Sequence, residues 1–308
     1  MKPKVIAIGT FDGVHRGHRS VLKVVENYAK EHDFEPVAIT FDRHPLELIN
    51  PERRPDILTP LNKKEKLLRE AGSIPKVLKF DEQLRSTTAR ELLKKLHDTE
   101  NVKALVIGYD NTFGSDGVNM SLEDYRNLGA ETGIDVITAP EIKEVSSSAI
   151  RKAVKAGDMG RAMEMLGRPY SITGIVGKGN RLGHSLGFPT ANLIPKGGIA
   201  LPKPGVYAAV VKDLSDGNKY PAMVNIGTRP TVMQGDNIMI ESHLFNFNGD
   251  LYGKEITIRF IKRLRDEFKF STVEALRQQL EDDADEAKSI VEQYLKKEVL
   301  EQKQTEEK

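Results

Sequence analysis

Short apolar runs of strand length alternate with helical patterns through the first half of the sequence, and this alternation constrains the fold more than any other feature. The runs lie at 5–8, 37–41, 77–80, 104–108 and 136–138. Strand–helix alternation predicts parallel strands joined by crossover helices, which is a doubly wound α/β sheet. Ligands of such sheets bind beyond the carboxyl ends of the strands, so motifs that directly follow a strand carry the most functional weight.

The second half carries strand patterns with no helix-length pattern between them. Apolar-rich segments lie at 171–176, 206–212, 220–226, 238–245 and 255–261. The pairs Asp-Gly at 216–217 and Asn-Gly at 248–249 are hairpin-turn signals between such segments. The pattern predicts an antiparallel sheet or small barrel, followed by one long helix over about 272–300 and a charged, frayed tail.

The chain length fits two domains, because 308 residues is about twice the roughly 150 residues of a typical domain. The change from alternating strands and helices to strands alone places the boundary near Arg168. The predicted domains are therefore residues 1–168 and residues 169–308.

The charge balance and the absence of cysteine exclude several classes of protein. Lys plus Arg number 46 and Asp plus Glu 45, a net charge of +1 that argues against nucleic-acid or membrane-surface binding by bulk charge. Without cysteine, disulfides, zinc–thiolate sites and a cysteine nucleophile are excluded, and a cytoplasmic location fits. No apolar run reaches the roughly 18 residues of a membrane span. We expect small-molecule partners without nucleic acid or membrane, and the oligomeric state stays open.

The strongest local motif is the run GTFDGVHRGH at 9–18, which leaves a strand and enters a helix. Backbone N–H groups at a helix N-terminus form an anion site, and Gly17 allows a phosphate to approach closely. His15 and His18 are spaced so that both imidazoles face one side of the first turn, where they can stabilise a phosphoryl group in transfer. A histidine pair without function is the alternative for two histidines alone, and the full context favours phosphate chemistry.

Three further segments lie where the ligand edge of the sheet is expected. They are TFDRHP at 40–45, GYDNTFG at 108–114 and VSSSAIR at 145–151. The serines can cap a helix and bind phosphate oxygens, and Arg151 can reach the same phosphates. An ordinary serine cap and a surface arginine are the alternative interpretation of the last segment.

The run at 9–18 resembles the signature of HxGH nucleotidyltransferases, and the four segments together resemble the FMN adenylyltransferase module of bacterial bifunctional FAD synthetases over residues 5 to about 155. The resemblance implies a Rossmann-like domain that joins AMP from ATP to FMN, gives FAD and pyrophosphate, and uses Mg²⁺. It implies that His15 and His18 are catalytic, that ATP contacts Gly9, Thr10, Phe11, Asp12, Gly17, Asp110, Ser147, Ser148 and Arg151, and that the flavin contacts Phe41, His44 and Asn111.

Two residues depart from the pattern of that family. Arg43 stands where the family often has proline, and Asn111 stands where an aromatic residue is usual. An aromatic side chain at that position could contribute to flavin contact or packing. One alternative is therefore that the adenylyltransferase module is impaired and that the chain works through its second half alone.

The second half opens with a glycine-dense run, GKGNRLGHSLG at 177–187, followed at once by FPTAN at 188–192. The run is neither a Walker A loop nor a dinucleotide fingerprint, and a flexible hairpin explains bare glycines about as well. Thr190 and Asn192 lie two residues apart on an extended segment, so they point the same way and can share one hard cation with ATP phosphates. The alternative is a turn with a buried threonine.

Together with GVYA at 205–208, NIGTRPT at 225–231 and ESH at 241–243, these runs resemble the riboflavin kinase module. The resemblance implies a six-stranded antiparallel barrel with a flap over ATP. It implies Mg²⁺–ATP binding by Thr190 and Asn192, ATP contact by Gly177, Gly179 and Gly183, a catalytic base in Glu241, and flavin or nucleotide contact by Arg265. A carboxylate suits this reaction, because the ribityl hydroxyl of riboflavin is neutral and must lose a proton.

The two resemblances in this order predict a bifunctional transferase. It would use ATP as co-substrate to phosphorylate riboflavin to FMN and then adenylylate FMN to FAD. Besides the impaired adenylyltransferase, two alternatives stay open: a non-catalytic flavin- or RNA-binding regulator and a cytidylyltransferase.

Overall fold

A computed structural model of the chain describes residues 1–109, 112–177, 187–195, 197–229 and 237–306. Contacts divide the chain into two compact units, Met1–Ala149 and Ile150–Lys308. The predicted domain boundary near Arg168 stays a prediction.

The first unit is built around a five-stranded parallel sheet in the order β3-β2-β1-β4-β5. This order confirms the predicted doubly wound α/β fold, with the chain reversing direction across the sheet beside β1. The strands are β1 (Lys4–Ile8), β2 (Glu35–Phe41), β3 (Ile74–Leu78), β4 (Val102–Ile107) and β5 (Asp135–Thr138). The helices are α1 (Arg16–His32), α2 (Leu46–Ile49), α3 (Leu61–Glu70), α4 (Glu82–Ser86), α5 (Ala89–Glu100), α6 (Leu122–Thr132) and α7 (Ser147–Ala156), the last of which continues into the second unit.

The central strand is buried on both faces. Ile6 and Ile8 pack into the core cluster that contains residues of α5 and α6, while Val5 and Ala7 pack into the opposite cluster with residues of α1 and α3. Such double burial explains why this strand is a continuous apolar run rather than an alternating one.

The third strand begins at Ile74, earlier than the apolar run at 77–80 predicts. It lies at the edge of the sheet and pairs only with β2 among the described residues. Half-exposed residues such as Lys76 and Pro75 are tolerated there. Phe80 follows the strand and contributes its ring to the core.

The second unit is a closed antiparallel barrel in the order β10-β7-β6-β11-β8-β9 with a long helix packed on it. This confirms the expected six-stranded barrel. Its strands are β6 (Tyr170–Gly177), β7 (Ala191–Pro195), β8 (Gly205–Asp213), β9 (Lys219–Arg229), β10 (Asn237–Leu244) and β11 (Glu255–Arg265), and its helices are α8 (Met159–Leu166) and α9 (Val273–Glu306).

Two expectations for this unit are wrong. The Asn-Gly pair at 248–249 makes no hairpin, because β10 pairs with β7 and β9 whereas β11 pairs with β6 and β8. The tail after Leu300 is helical as far as Glu306, since its Glu, Gln and Lys residues are good helix formers. The Asp-Gly pair at 216–217 does join the paired strands β8 and β9.

Candidate active sites

The loop after β1 has an unusual backbone. Phe11, Gly13 and Val14 adopt positive φ angles of 47°, 86° and 38°. This conformation is costly for residues other than glycine and persists only where surrounding contacts impose it. The side chains of Phe11 and Val14 are buried in the core, which supplies those contacts. Phe11, a predicted ATP contact, therefore packs mainly under the loop, with its ring edge-on to His18 at 5.2 Å between centroids.

The structure brings the two histidines of the motif together at the start of α1. The His15 Nδ1 accepts a hydrogen bond from the backbone N–H of His18 at 3.3 Å and so caps the helix. The two rings stack with 3.6 Å between centroids. A Cβ atom on Gly17 would come within 3.2 Å of the His15 ring, which explains why a residue without a side chain separates them.

The predicted ATP contact Asp12 makes backbone contacts within the first unit. Its buried carboxylate accepts hydrogen bonds from the N–H of Leu58 at 2.9 Å and of Thr59 at 3.1 Å. Its carbonyl accepts from the Ser147 hydroxyl at 2.8 Å. Asp12 thus ties the loop after β1 to the segment before α3, and a contact between its carboxylate and ATP stays a prediction.

The segment at 145–151 contains the start of α7, as its serines predict. The hydroxyl of Ser146 accepts from the backbone N–H of Ala149 and caps α7. Ser148 and Arg151 lie in the first turns of the same helix, three residues apart, a spacing that places them on one face. The predicted site residues Asp110 and Asn111 lie outside the described residues.

A cavity of about 300 Å³ opens at the ends of β1 and β2. Thr10, Asp42 and His44 line it, and the His44 Nδ1 accepts from the backbone N–H of Leu46 at 3.2 Å. Phe41, a predicted flavin contact, is only 8% exposed and packs its ring against Phe80.

The unusual Arg43 lines the same cavity but is held by acidic neighbours. Its guanidinium lies 3.8 Å from the carboxylate of Asp42 and 3.9 Å from that of Glu47. Arg43 therefore adds a cation whose charge is partly balanced within the loop itself.

Lys64 on α3 is a site residue that the sequence analysis missed. It is 8% exposed, and its ammonium donates to the carbonyls of Thr10 at 3.1 Å and of Phe41 at 3.0 Å. Burial lowers the pKa of Lys64 to about 8, against the opposing effect of Asp12 and Asp42. In the run LNKKEKLLRE, its helical spacing from Leu67 and Leu68 is the only signal that marks it as inward-facing.

The second site is a row of polar side chains across the barrel wall. Glu241 on β10 lies directly opposite Asn192 on β7 and Asn225 on β9, and Gly177 on β6 lies opposite Asn192. Directly paired residues project to the same face of a sheet with Cβ atoms about 5 Å apart. The structure therefore places the predicted base beside the predicted ligand Asn192, and it adds Asn225, whose amide donates to the Glu267 carboxylate at 3.0 Å.

A cavity of about 690 Å³ adjoins this row. Gly177, Thr190, Asn192 and Ser242 line it. The Ser242 side chain is fully buried, and its hydroxyl has no hydrogen-bond partner among the described residues. The predicted ATP contacts Gly179 and Gly183 lie outside the described residues.

His243 fixes the segment that carries Thr190. Its ring nitrogen Nδ1 donates to the carbonyl of Pro189 at 2.9 Å, and its ring packs edge-on against Phe188. Burial lowers the pKa of His243, which favours the neutral ring. The motif ESH contains this histidine, but only the pairing of β10 with β7 reveals what it touches.

Arg265, the predicted flavin or nucleotide contact, is engaged within its own unit. Its guanidinium donates to both carboxylate oxygens of the buried Asp283 on α9, at 2.6 Å for the shortest contact. It also lies over the ring of Phe268, with its Cζ atom 4.6 Å from the centroid. These contacts fasten α9 to the barrel, and a contact with substrate stays a prediction.

Comparisons with known proteins agree with this division into two units. The FAD synthetase family model matches residues 1–152, and the riboflavin kinase family model matches residues 166–291. A Bacillus subtilis (strain 168) protein named bifunctional riboflavin kinase/FMN adenylyltransferase is 35% identical over 92% of this chain and 91% of its own. An Escherichia coli (strain K12) protein of the same name is 35% identical over 90% of this chain and 89% of its own.

A solved Streptococcus pneumoniae structure has the same fold as this chain over most of its length. It superposes with a TM-score of 0.85 and 32% identity, covering 93% of this chain and 94% of its own. That protein carries the name macrolide-efflux protein. Among the described residues of our chain, every helix is too short or too polar to cross a membrane.

Proposed function

The chain belongs to the bifunctional riboflavin kinase/FMN adenylyltransferase family, and from this premise we propose which of its residues carry out the two reactions. The predicted bifunctional transferase is confirmed by the family matches. The second unit phosphorylates riboflavin with ATP to give FMN and ADP, and the first unit adenylylates FMN to give FAD and pyrophosphate. Its substrates are small molecules. A cytoplasmic location is part of the proposal.

In the kinase reaction we assign the role of general base to Glu241. Its carboxylate accepts the proton of the ribityl 5′-hydroxyl while that oxygen bonds to the γ-phosphorus of ATP and ADP leaves. The observation that carries this assignment is the pairing of Glu241 with Asn192, because it puts a carboxylate next to a residue that lines the cavity together with Thr190.

Among metal ions, Mg²⁺ is the one that suits the donor atoms of Thr190 and Asn192 best. The hydroxyl of Thr190 and the amide oxygen of Asn192 are hard oxygen donors, and Mg²⁺ commonly takes one or two protein ligands and completes its shell with phosphates and water. Among the described residues, no group of three or more His, Cys, Asp or Glu side chains is placed to hold a metal ion. When bound, Mg²⁺ neutralises charge on the phosphates.

The adenylyl transfer needs no protein nucleophile. The FMN phosphate is already anionic near neutral pH, since its second pKa is about 6. Its oxygen bonds to the α-phosphorus of ATP as the bond to the pyrophosphate oxygen breaks. His15 and His18, stacked at the N-terminus of α1, donate hydrogen bonds to the phosphoryl oxygens as their charge grows.

The other predicted contacts complete the first site. Ser147, Ser148 and Arg151 are assigned to the triphosphate. His44, which lines the cavity, and Phe41, the last residue of β2, are assigned to the flavin. Phe11 and Asp12 support the loop from beneath, where the core and backbone amides hold them.

A chromatographic time course with riboflavin, ATP and Mg²⁺ tests the proposal. Wild type should form FMN first and FAD later. Glu241→Gln should stop FMN formation but still convert supplied FMN to FAD, and His18→Ala should do the reverse. FMN that accumulates without FAD, even when FMN is supplied, would support the impaired adenylyltransferase instead. If wild type converts neither riboflavin nor FMN, both assignments are contradicted.

A further inference from the structure

A buried lysine joins the carboxyl ends of two neighbouring strands in the first unit. β1 and β2 pair in parallel, and the ammonium of Lys64 lies where both end. It donates to the carbonyl of Thr10, just after β1, and to that of Phe41, the last residue of β2. The hydroxyl of Thr40 donates to the same Thr10 carbonyl at 3.1 Å, so the junction is held from two sides.

The two strand ends joined by Lys64 carry the residues of the proposed reaction. Thr10 opens the loop that leads to His15 and His18, and Phe41 precedes the loop that carries His44. The ammonium therefore adds to the Thr40 hydroxyl and the β1–β2 ladder a charged contact that holds the phosphoryl-binding loop beside the flavin-side loop.

The surroundings of Lys64 keep a positive charge there at neutral pH. Desolvation lowers its pKa to about 8, while Asp12 from the first loop, Asp42 from the second and Glu65 from its own helix oppose that shift. Arg43, His44 and Glu47 line the cavity that Lys64 also lines. A charged donor makes stronger hydrogen bonds to carbonyls than a neutral amine does.

We propose that Lys64 is a positioning residue for adenylyl transfer, which acts by holding the loop of His15 and His18 at a fixed place relative to the loop of His44. This inference rests on the proposed function of the first unit. Lys64 touches backbone carbonyls rather than reacting atoms, so its loss should act through misplacement. A misplacement of about 1 Å can lower a rate by roughly 100-fold.

The first test compares Lys64→Met with Lys66→Met in the full chain. Lys66 lies on the same helix but is exposed, so it is the matched control. For FAD formation from supplied FMN and ATP, Lys64→Met should lower kcat by about 100-fold with a much smaller change in KM. Lys66→Met should leave both values unchanged, and FMN formation by the second unit should be unchanged in both variants.

The second test is the pH dependence of kcat for FAD formation. In wild type kcat should fall as the pH rises through about 8, because the ammonium loses its proton. In Lys64→Arg the fall should move to higher pH, since a guanidinium stays charged throughout. A purely structural side chain would give no such movement.

Two results would overturn the proposal. They are wild-type kcat values in Lys64→Met and a fall near pH 8 that is unchanged in Lys64→Arg. The second does not use Lys64→Met, so the proposal stays testable even if that variant does not fold. Failure of wild type to make any FAD would overturn the proposed function as well, whereas the two results above leave that function intact.

Discussion

The two sites of this enzyme are built in different ways. The first depends on a tight loop in which Phe11, Gly13 and Val14 adopt positive φ angles. Buried side chains and the hydrogen bonds of Asp12 hold the loop in this conformation. The second depends on regular strand pairing, which places Asn192, Glu241 and Asn225 side by side on a barrel wall. Stability and activity should therefore be coupled in the first site and separable in the second.

The largest effect on activity without an effect on stability is expected at Glu241. Glu241→Gln keeps the shape of the side chain and removes the proposed base, so kcat for FMN formation should fall by roughly 10²–10⁴-fold. Glu241 is half-buried and Gln has nearly the same size, so the free energy of unfolding should change by less than about 1 kcal/mol. Steady-state kinetics and urea unfolding of the same preparation check both values, and a strongly destabilised variant would break the contrast between the two sites.

Asp12→Ala should affect both properties. It leaves the buried amides of Leu58 and Thr59 without their acceptor, which should cost roughly 1–3 kcal/mol of unfolding free energy. FAD formation should fall as the loop loses its anchor, while FMN formation should persist. Glu52→Ala, an exposed residue in the preceding segment, is the control. A folded, fully active Asp12→Ala variant would show that the buried core alone fixes the loop.

A smaller effect is expected at Glu267, which accepts a hydrogen bond from the amide of Asn225, the residue paired with the proposed base Glu241. Glu267→Ala should lower kcat for FMN formation by about threefold to tenfold, in line with the roughly 1 kcal/mol of a typical hydrogen bond. Glu274→Ala on α9 serves as the control. Gly227→Ala should have a similar effect, because its new Cβ would lie 2.5 Å from the Glu267 carboxylate. Unchanged kinetics in both variants would mean that FMN formation does not depend on the hydrogen bond between Asn225 and Glu267.

The smallest expected effect is that of His243 on the stability of the folded protein at acidic pH. Because burial lowers the pKa of His243 below its ordinary 6.5, the unfolded chain binds the proton more readily than the folded one. The contribution of His243 to stability is therefore present above pH 6.5 and is lost as the pH falls below it. His243→Gln, whose amide can still donate to Pro189, should unfold with less dependence on pH between 6.5 and about 5. Thermal melts across that range measure the difference, and parallel curves for the two proteins would contradict it.

The histidines and glycines predicted for the first site are close together in the chain, whereas the residues predicted for the second come from separate strands. The run at 9–18 contains both histidines and the start of the helix that His15 caps. Lys64 escaped notice because neighbouring lysines look alike in sequence, and only the packing of α3 separates a buried one from an exposed one.

On the barrel, the motifs contain Thr190, Asn192 and Glu241, whose roles stay predictions, and the alignment of Asn192 with Glu241 depends on strand register. No sequence pattern showed that β7 lies between β6 and β10 or that Asn225 stands beside Glu241. The hairpin expected at 248–249 failed for the same reason, since a turn signal reports local backbone and says nothing of which strands are neighbours. Arg265 matched a motif but is engaged by Asp283, a partner far along the chain.

The closure of the barrel has a consequence for how this enzyme can change in evolution. In a closed ring of strands, a shift of one residue between any two neighbours must be made up elsewhere around the ring, and it would turn every side chain of the shifted strand to the opposite face. The hydrogen bonds between all six strands thus keep Asn192 opposite Glu241. Insertions and deletions should accumulate in the connecting loops, and the lengths of the strands should be inherited almost unchanged.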